Sequence, residues 1–138
     1  MTKFFGRGII TVFDRIDGYA VGVLANDSNF YAGSMSAQGA RKTTRFVKLC
    51  NTFHLPIVSL VDEPGFLIGP DAELEATILH GAEAVLAVAE TEVPWATIMI
   101  RKSFGVAAAA HYGPNGYVLA WPSAESGPLP LEGGVAVA

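Results

Sequence analysis

Two short apolar runs, residues 56–61 (PIVSLV) and 93–100 (VPWATIMI), flank a long stretch in which apolar residues recur at helical spacing. No other feature constrains the fold as much. Each run has the length of a buried strand, and each ends in a glycine-bearing loop: DEPGFLIG at 62–69 after the first, RKSFG at 101–105 after the second. A strand, a helix and a second strand joined in this way form a parallel pair with a right-handed crossover.

The flanking segments extend this pattern. Residues 9–15 and 19–25 are β-rich runs separated by Asp17-Gly18, a dipeptide that supplies the positive φ of a tight hairpin turn. Residues 36 to about 53 place Ala40, Phe46, Val47 and Cys50 on one helical face, with Ser36 as N-cap and Pro56 closing the region. Residues 71–92 predict one helix whose core face is Leu74, Ile78, Ala82, Val85 and Ala89, with Glu73, Thr77, His80 and Glu83 elsewhere. A short helix over 104 to about 111 and a strand over 117–121 complete the order ββα, βα, βα. The reading is a single α/β domain over 1–138, with 56–61 buried on both sheet faces and no internal linker or close repeat.

Composition narrows the function classes. A net charge of −4 argues against nucleic acid and against a polybasic membrane patch. Hydrophobic content of 51%, with 15 glycines besides, exceeds what one small core needs and points to a surface that meets a partner. Residues 103–124 carry no charge, but Gly105, Gly113, Pro114, Gly116 and Pro122 interrupt them, so they do not read as a membrane span. Lys3 and Arg7 precede apolar runs too broken for a secretory signal, and a single cysteine, Cys50, allows no intrachain disulfide; a reducing cytoplasm fits. Arg41, Lys42, Arg45 and Lys48 gather on one helix, either as a solvated face or to meet the phosphates of a nucleotide-like cofactor.

The chemistry-bearing segment is TIMIRKSFGVAAAAHYG, residues 97–113, a strand that runs into a turn and a helix of small residues. The first N–H groups of such a helix lack intrahelical partners and project partial positive charge beyond the strand end. Gly105 and the alanines therefore either let helices pack closely or cradle an anion or developing oxyanion. DEPGFLIG lies at the kind of strand edge where open α/β sheets bind ligands, and a simple wide turn is its other reading. Ser36, His80, His111, Asp62 and Asp71 contain the residue types of a hydrolytic triad, but no GxSxG elbow is present and Ser36 suits a cap better. His54 suits a local turn and His80 a polar helix face. No metal-ligand spacing appears.

VDEPGFLIG (61–69), HGAEAVLAVAE (80–90), VPWATIMIRKSFGVA (93–107) and LAWPSAE (119–125) resemble, in order and spacing, the C-terminal half of the carboxyltransferase component of biotin-dependent acyl-CoA carboxylases, such as those acting on propionyl-CoA and acetyl-CoA. DGYAVGVLAND and ARKTTRFVKLCNTFHLPIVSLVD resemble that family's hairpin and first long helix, so the likeness runs from about Ile16 onward. It implies part of a crotonase-like fold, a spiral of ββα units. It also implies a reaction in which carboxybiotin releases CO2, the biotin oxyanion takes a proton from the α-carbon of a short-chain acyl-CoA, and the enolate captures the CO2.

Matched residue by residue, the resemblance assigns the biotin-side oxyanion hole to the backbone N–H groups of Val106 and Ala107. Gly105 allows the turn, and Pro64, Gly65, Phe66, Leu67, Ala108 and Ala109 line the biotin and acyl sites. Implied partners are a biotin carboxyl carrier or biotin carboxylase subunit, an N-terminal carboxyltransferase half that holds most of the acyl-CoA, and further copies of the chain. Decarboxylases and transcarboxylases share the chemistry, and a non-catalytic assembly module would share the fold. Val106 stands where relatives usually carry a second glycine; a left-handed backbone there would strain a valine and displace its donor. Ala108 and Ala109 leave more room than usual. The tail LPLEGGVAVA resembles the family's glycine turn after WP.

Overall fold

The structure, a computed structural model, describes residues 4–129; the tail from residue 130 onward lies outside the described residues. Strands β1 (Ile9–Ile16) and β2 (Tyr19–Asn26) form the expected hairpin, with Asp17 and Gly18 both at positive φ. Helix α1 (Ala37–Thr52) starts at Ser36, whose side chain accepts a hydrogen bond from the Gly39 N–H, and closes at His54, which holds φ 54°. Then come β3 (Ile57–Glu63), α2 (Pro70–Leu74), α3 (Thr77–Ala89), β4 (Trp95–Phe104), α4 (Gly105–Ala108), β5 (Tyr117–Ala120) and β6 (Glu125–Gly127). The sheet order is β1-β2-β3-β4-β5. All pairings beyond the hairpin are parallel, and β6 takes over from β5 along the second half of β4.

Pairing register explains where the core lies. Gly22, Ile57 and Trp95 stand in one row across β2, β3 and β4, and Leu24, Ser59 and Thr97 in the next row of the same face. All six are buried. Over them pack Phe46, Val47 and Cys50 of α1 and Ala84, Ala87 and Val88 of α3. The opposite face is only half covered: Val58, Leu60, Ala96 and Ile98 are intermediate, while Ile10, Val12, Tyr117 and Leu119 are exposed. β3 is therefore not buried on both faces as its apolar sequence predicts; its residues alternate buried and half-buried.

The predicted helix over 71–92 is two helices. Ala76 adopts a left-handed conformation, φ 54°, and breaks the chain between α2 and α3, which resets the helical phase. In consequence Leu74 and Ile78 face outward, 86% and 59% exposed, with Ala82 and Ala89 also exposed and Val85 half-buried. The buried stripe is Thr77, Gly81, Ala84, Ala87 and Val88. Small residues win because α3 lies close to α1 and because the Phe66 ring sits over Gly81: a Cβ there would come within 2.3 Å of it. Nor is the basic helix a wholly solvated face. Lys42 is buried, and its ammonium donates to the carbonyl of Ile9 at 2.6 Å, tying α1 to β1, while burial lowers its pKa.

Two outcomes check this core. A Cβ at Gly22 would lie 2.5 Å from the Cys50 sulfur and 2.9 Å from Phe46 Cζ. Gly22→Ala is expected to destabilise the fold by about 1–3 kcal/mol, read as a lower urea midpoint at unchanged slope. An unchanged midpoint would show that α1 stands further from the sheet. Burial pushes the Cys50 thiol up to about 11, so native protein should resist maleimide at neutral pH and label on unfolding. Rapid labelling of folded protein would contradict the packing of α1.

Candidate functional site

The parallel register of β3 and β4 brings the two predicted loops together. After a ladder irregularity between Val61 and Glu63, Glu63 stands opposite Ser103. Each strand turns within two residues of that pair, so Gly65 and Gly105 occupy matching stations past the same sheet edge. Asp62 clamps the irregular stretch: its carboxylate accepts from the Arg101 guanidinium at 3.0 Å and from the Lys102 N–H at 3.2 Å. The hydrogen bond from Arg101 to Asp62, then their charge attraction, raises the Arg101 pKa. The RK of the motif therefore serves strand pairing beside the turn.

Gly105 adopts φ +65°, a left-handed conformation that a β-branched residue resists, and leads into the four-residue α4. Val106 is not among the described residues with positive φ; it lies within α4, 68% exposed. The left-handed station is the one where the chain keeps its glycine, and valine at 106 carries no backbone strain. Ala107 and Ala110 point into the core, and Ala108 is also buried, whereas Ala109 is exposed. The N–H groups at the start of a helix have no intrahelical acceptor. Among the described turn, loop and cap hydrogen bonds, none uses those of Val106 or Ala107.

The 64–67 loop is fixed from below. The Met35 N–H donates to the Gly65 carbonyl at 3.0 Å, and the Leu67 N–H to the Met35 carbonyl at 2.9 Å. The Gly65 N–H turns inward to the Glu63 carboxylate at 3.0 Å, while a Cβ on Gly65 would meet nothing within 4 Å among the described residues. Pro64 is half-buried at the same turn. Phe66 and Leu67 diverge from the Gly105 edge. Phe66 packs on Gly81 and the core, and Leu67 lines a cleft of about 720 Å³ with Arg7, Phe30, Tyr31 and Pro70, to which none of residues 105–109 contributes. Of the nine predicted site residues, Pro64 and Gly65 follow β3 at the sheet edge where Gly105 follows β4, and Phe66 and Leu67 face other surroundings.

No hydrolytic triad assembles from the residues considered in the sequence. Ser36 caps α1, His80 Nδ1 meets Glu83 on an exposed surface at 3.0 Å, and Asp62 holds Arg101. Sequence reasoning missed a buried polar group beneath the edge. Asn26 Nδ2 donates to the Gly33 carbonyl and to Glu63 Oε2, both at 3.0 Å, while its Oδ1 accepts from the Asp62 N–H at 3.1 Å. Ser59 and Glu63 share the inward face of β3 with Ile57 and Val61, a period-two pattern visible in PIVSLVDE. Among the described residues, no group of three or more His, Cys, Asp and Glu is arranged to hold a metal, and no helix is long and apolar enough to cross a membrane.

Comparison with known proteins places this arrangement. The carboxyl transferase domain model matches residues 1–138. The propionyl-CoA carboxylase beta chain of Cereibacter sphaeroides is 42% identical over 127 residues, 89% of this chain and 25% of that protein. The methylmalonyl-CoA decarboxylase subunit alpha of Veillonella parvula is 38% identical over 125 residues, 88% of this chain and 25% of the relative. The crystal structure of transcarboxylase 12S, described as a hexamer assembly with hydrolysed methylmalonyl-coenzyme A bound, superposes with a TM-score of 0.90 at 36% identity, covering 95% of this chain and 26% of that one. The chain thus spans about a quarter of the length of the curated relatives it matches. Its sheet and helices are part of a crotonase-like fold, and the chain belongs to the carboxyl transferase domain family.

Proposed function

We propose that this chain is the C-terminal core of an acyl-CoA carboxylase carboxyltransferase, and that it supplies the biotin-side oxyanion hole. One observation carries the reading: Gly105, at φ +65°, turns the chain from β4 into a helix whose first N–H groups, those of Val106 and Ala107, take no part in the turn, loop and cap hydrogen bonds among the described residues, at the edge where β3 leads into Gly65. Such an edge fits a small planar group. Among the described residues, Gly105 has nothing closer to a would-be Cβ than the Pro128 carbonyl at 3.5 Å, and the exposed Ala109 adds no bulk beside it, whereas Ala108 is buried. Bound biotin, carried on a partner protein, supplies the carboxyl group for transfer to the α-carbon of a short-chain acyl-CoA.

In this reading the N–H groups of Val106 and Ala107 would hold the ureido oxygen of bound biotin, the atom at which carboxyl transfer would leave negative charge. Preorganised backbone donors suit that task because they need no reorganisation when the charge appears. The Ala107 side chain, anchored in the core, fixes the peptide that does the work. Gly65 and Pro64 form the neighbouring wall. The thioester and most of the acyl-CoA belong to an N-terminal half. The exposed apolar residues Ile10, Val12, Tyr117 and Leu119 on one sheet face, and Ile78 and Leu86 on α3, supply surface for that half or for further copies of the chain. A reduced, buried Cys50 suits the cytoplasm.

A second reading is a biotin-dependent decarboxylase or transcarboxylase. It is favoured by methylmalonyl-CoA decarboxylase and 12S relatives at 36–38% identity, within the 36–42% range of the carboxylases. The right-handed conformation of Val106 weighs against a non-catalytic assembly module, because the substitution leaves the turn intact.

The test is made in the assembled enzyme. Val106→Pro removes one donor at an exposed position in the first helical turn, where proline is tolerated. It should lower carboxyl transfer by about a hundredfold to a thousandfold with the urea midpoint unchanged, whereas Val106→Gly should keep parental rates. Parental rates in the proline variant would remove the backbone-donor role. A second outcome follows from the division of the site: the 138-residue chain alone should transfer no carboxyl group to propionyl-CoA or acetyl-CoA until an N-terminal half is added. Turnover by the isolated chain would place both oxyanion sites within it.

A further inference from the structure

Beneath the candidate site, Ser59, Glu63 and His111 are all buried without measurable exposure. His111 closes the 3-10 turn Ala109–His111 that continues α4. Its backbone is fixed from β4: Trp95 Nε1 and Thr97 Oγ1 donate to its carbonyl at 2.9 and 2.7 Å. Its ring is fixed from β3, since Ser59 Oγ lies 2.9 Å from Nδ1. The other ring nitrogen, Nε2, has no hydrogen-bond partner among the described residues and faces Glu63 Oε2 at 3.7 Å. The ring is thus held at Nδ1 by the hydrogen bond it shares with Ser59, and Nε2 is left turned toward the Glu63 carboxyl group.

Glu63 is held as firmly on its own side. Oε1 accepts from the N–H groups of Gly65 and Met35 at 3.0 and 3.2 Å, and Oε2 from Asn26 Nδ2 at 3.0 Å. Three N–H donors on two oxygens match an acceptor-only carboxylate. This side chain therefore shapes the turn at Pro64 and Gly65, while His111 belongs to the segment carrying Val106 and Ala107. An apolar pair of similar volume would avoid the desolvation cost, so the part this pair plays is geometric rather than stabilising.

We propose that Glu63 and His111 are positioning residues: facing each other in the core, they hold the Gly65 turn and the 105–111 segment in one relation and so set where the Val106 and Ala107 N–H groups sit. This rests on the reading that those N–H groups act on the carboxyl donor. Neither residue touches substrate; both act through the backbone they hold.

The test has a kinetic and a spectroscopic arm, both on the whole protein. Glu63→Gln places an amide NH2 against N–H donors, and His111→Gln removes the ring. Each should lower kcat roughly tenfold to a hundredfold, the range a small misplacement of a reacting group produces, with KM for the acyl-CoA unchanged. In the spectroscopic arm, isotope-labelled histidine, glycine, valine and alanine are followed by NMR. Glu63→Gln should shift the amides of Val106 and Ala107 as well as that of Gly65. Ser59→Ala, the mildest change and the one to use if the others fail to fold, should shift the His111 ring Nδ1 resonance, which loses its hydrogen-bond partner, and the same two amides. Parental kcat in both kinetic variants, or shifts confined to Gly65 with Val106 and Ala107 unmoved, would overturn the proposal. If the parental assembled enzyme, with its N-terminal half present, transfers no carboxyl group, the functional reading fails, and the amide shifts alone decide the positioning role.

Discussion

Parallel pairing of β3 with β4, in the register that sets Glu63 opposite Ser103, is the constraint on which the candidate site depends. Two parallel neighbours release their chains at the same edge, so the loops that follow emerge side by side. A slip of one residue would exchange the two faces of β3, driving Ser59 and Glu63 out of the core and Asp62 into it. Several polar contacts oppose that slip. Asp62 grips Arg101 and the Lys102 N–H on one face, while Asn26 takes the Asp62 N–H from the neighbouring strand. The exposed part of the Arg101 contact adds little stability by itself. Its bond to the Lys102 backbone matters more, because it fixes the ladder where the pairing becomes irregular.

Small residues have several distinct tasks in this chain. Gly22 and Gly81 admit Cys50, Phe46 and Phe66, whose bulk would otherwise hold the helices off the sheet. Gly113 gives way to the Trp95 ring, whose Nε1 then reaches the His111 carbonyl. Gly105 differs in kind: the space around it is open, and what it supplies is a backbone conformation. The alanine run continues this logic, with Ala107 and Ala110 anchoring a helical turn too short to be held by its own hydrogen bonds. A site made of peptide groups needs that anchoring, because peptide groups can be aimed only by fixing the backbone that carries them.

The helices cover one face of the sheet, and apolar side chains remain on the other and on the outer side of α3. The abundance of apolar residues noted in the sequence thus resolves into particular places: Ile10, Val12, Tyr117 and Leu119 on the sheet, Leu74, Ile78, Leu79 and Leu86 on the helices.

Local signals in the sequence determined the hairpin at Asp17-Gly18, the cap at Ser36, a strand at residues 56–61, which the structure carries on to Glu63, the alternation that makes the sheet parallel, and the turn at Gly105. Each is set by φ, by capping chemistry or by short-range periodicity, which neighbours along the chain decide. The motifs also carried the family. Tertiary structure decided what periodicity could not. Ala76 broke one predicted helix into two, because its left-handed conformation serves the way α3 lies on α1 and carries no mark in the residue itself. Lys42 became a buried clamp because β1 presents the Ile9 carbonyl to it. Phe66 turned away from the site edge because Gly81 left room for its ring. The facing of Glu63 and His111, 48 positions apart in the chain, exists only once β3 and the segment after β4 are in place, since a buried polar contact is defined by partners that only the fold brings within reach.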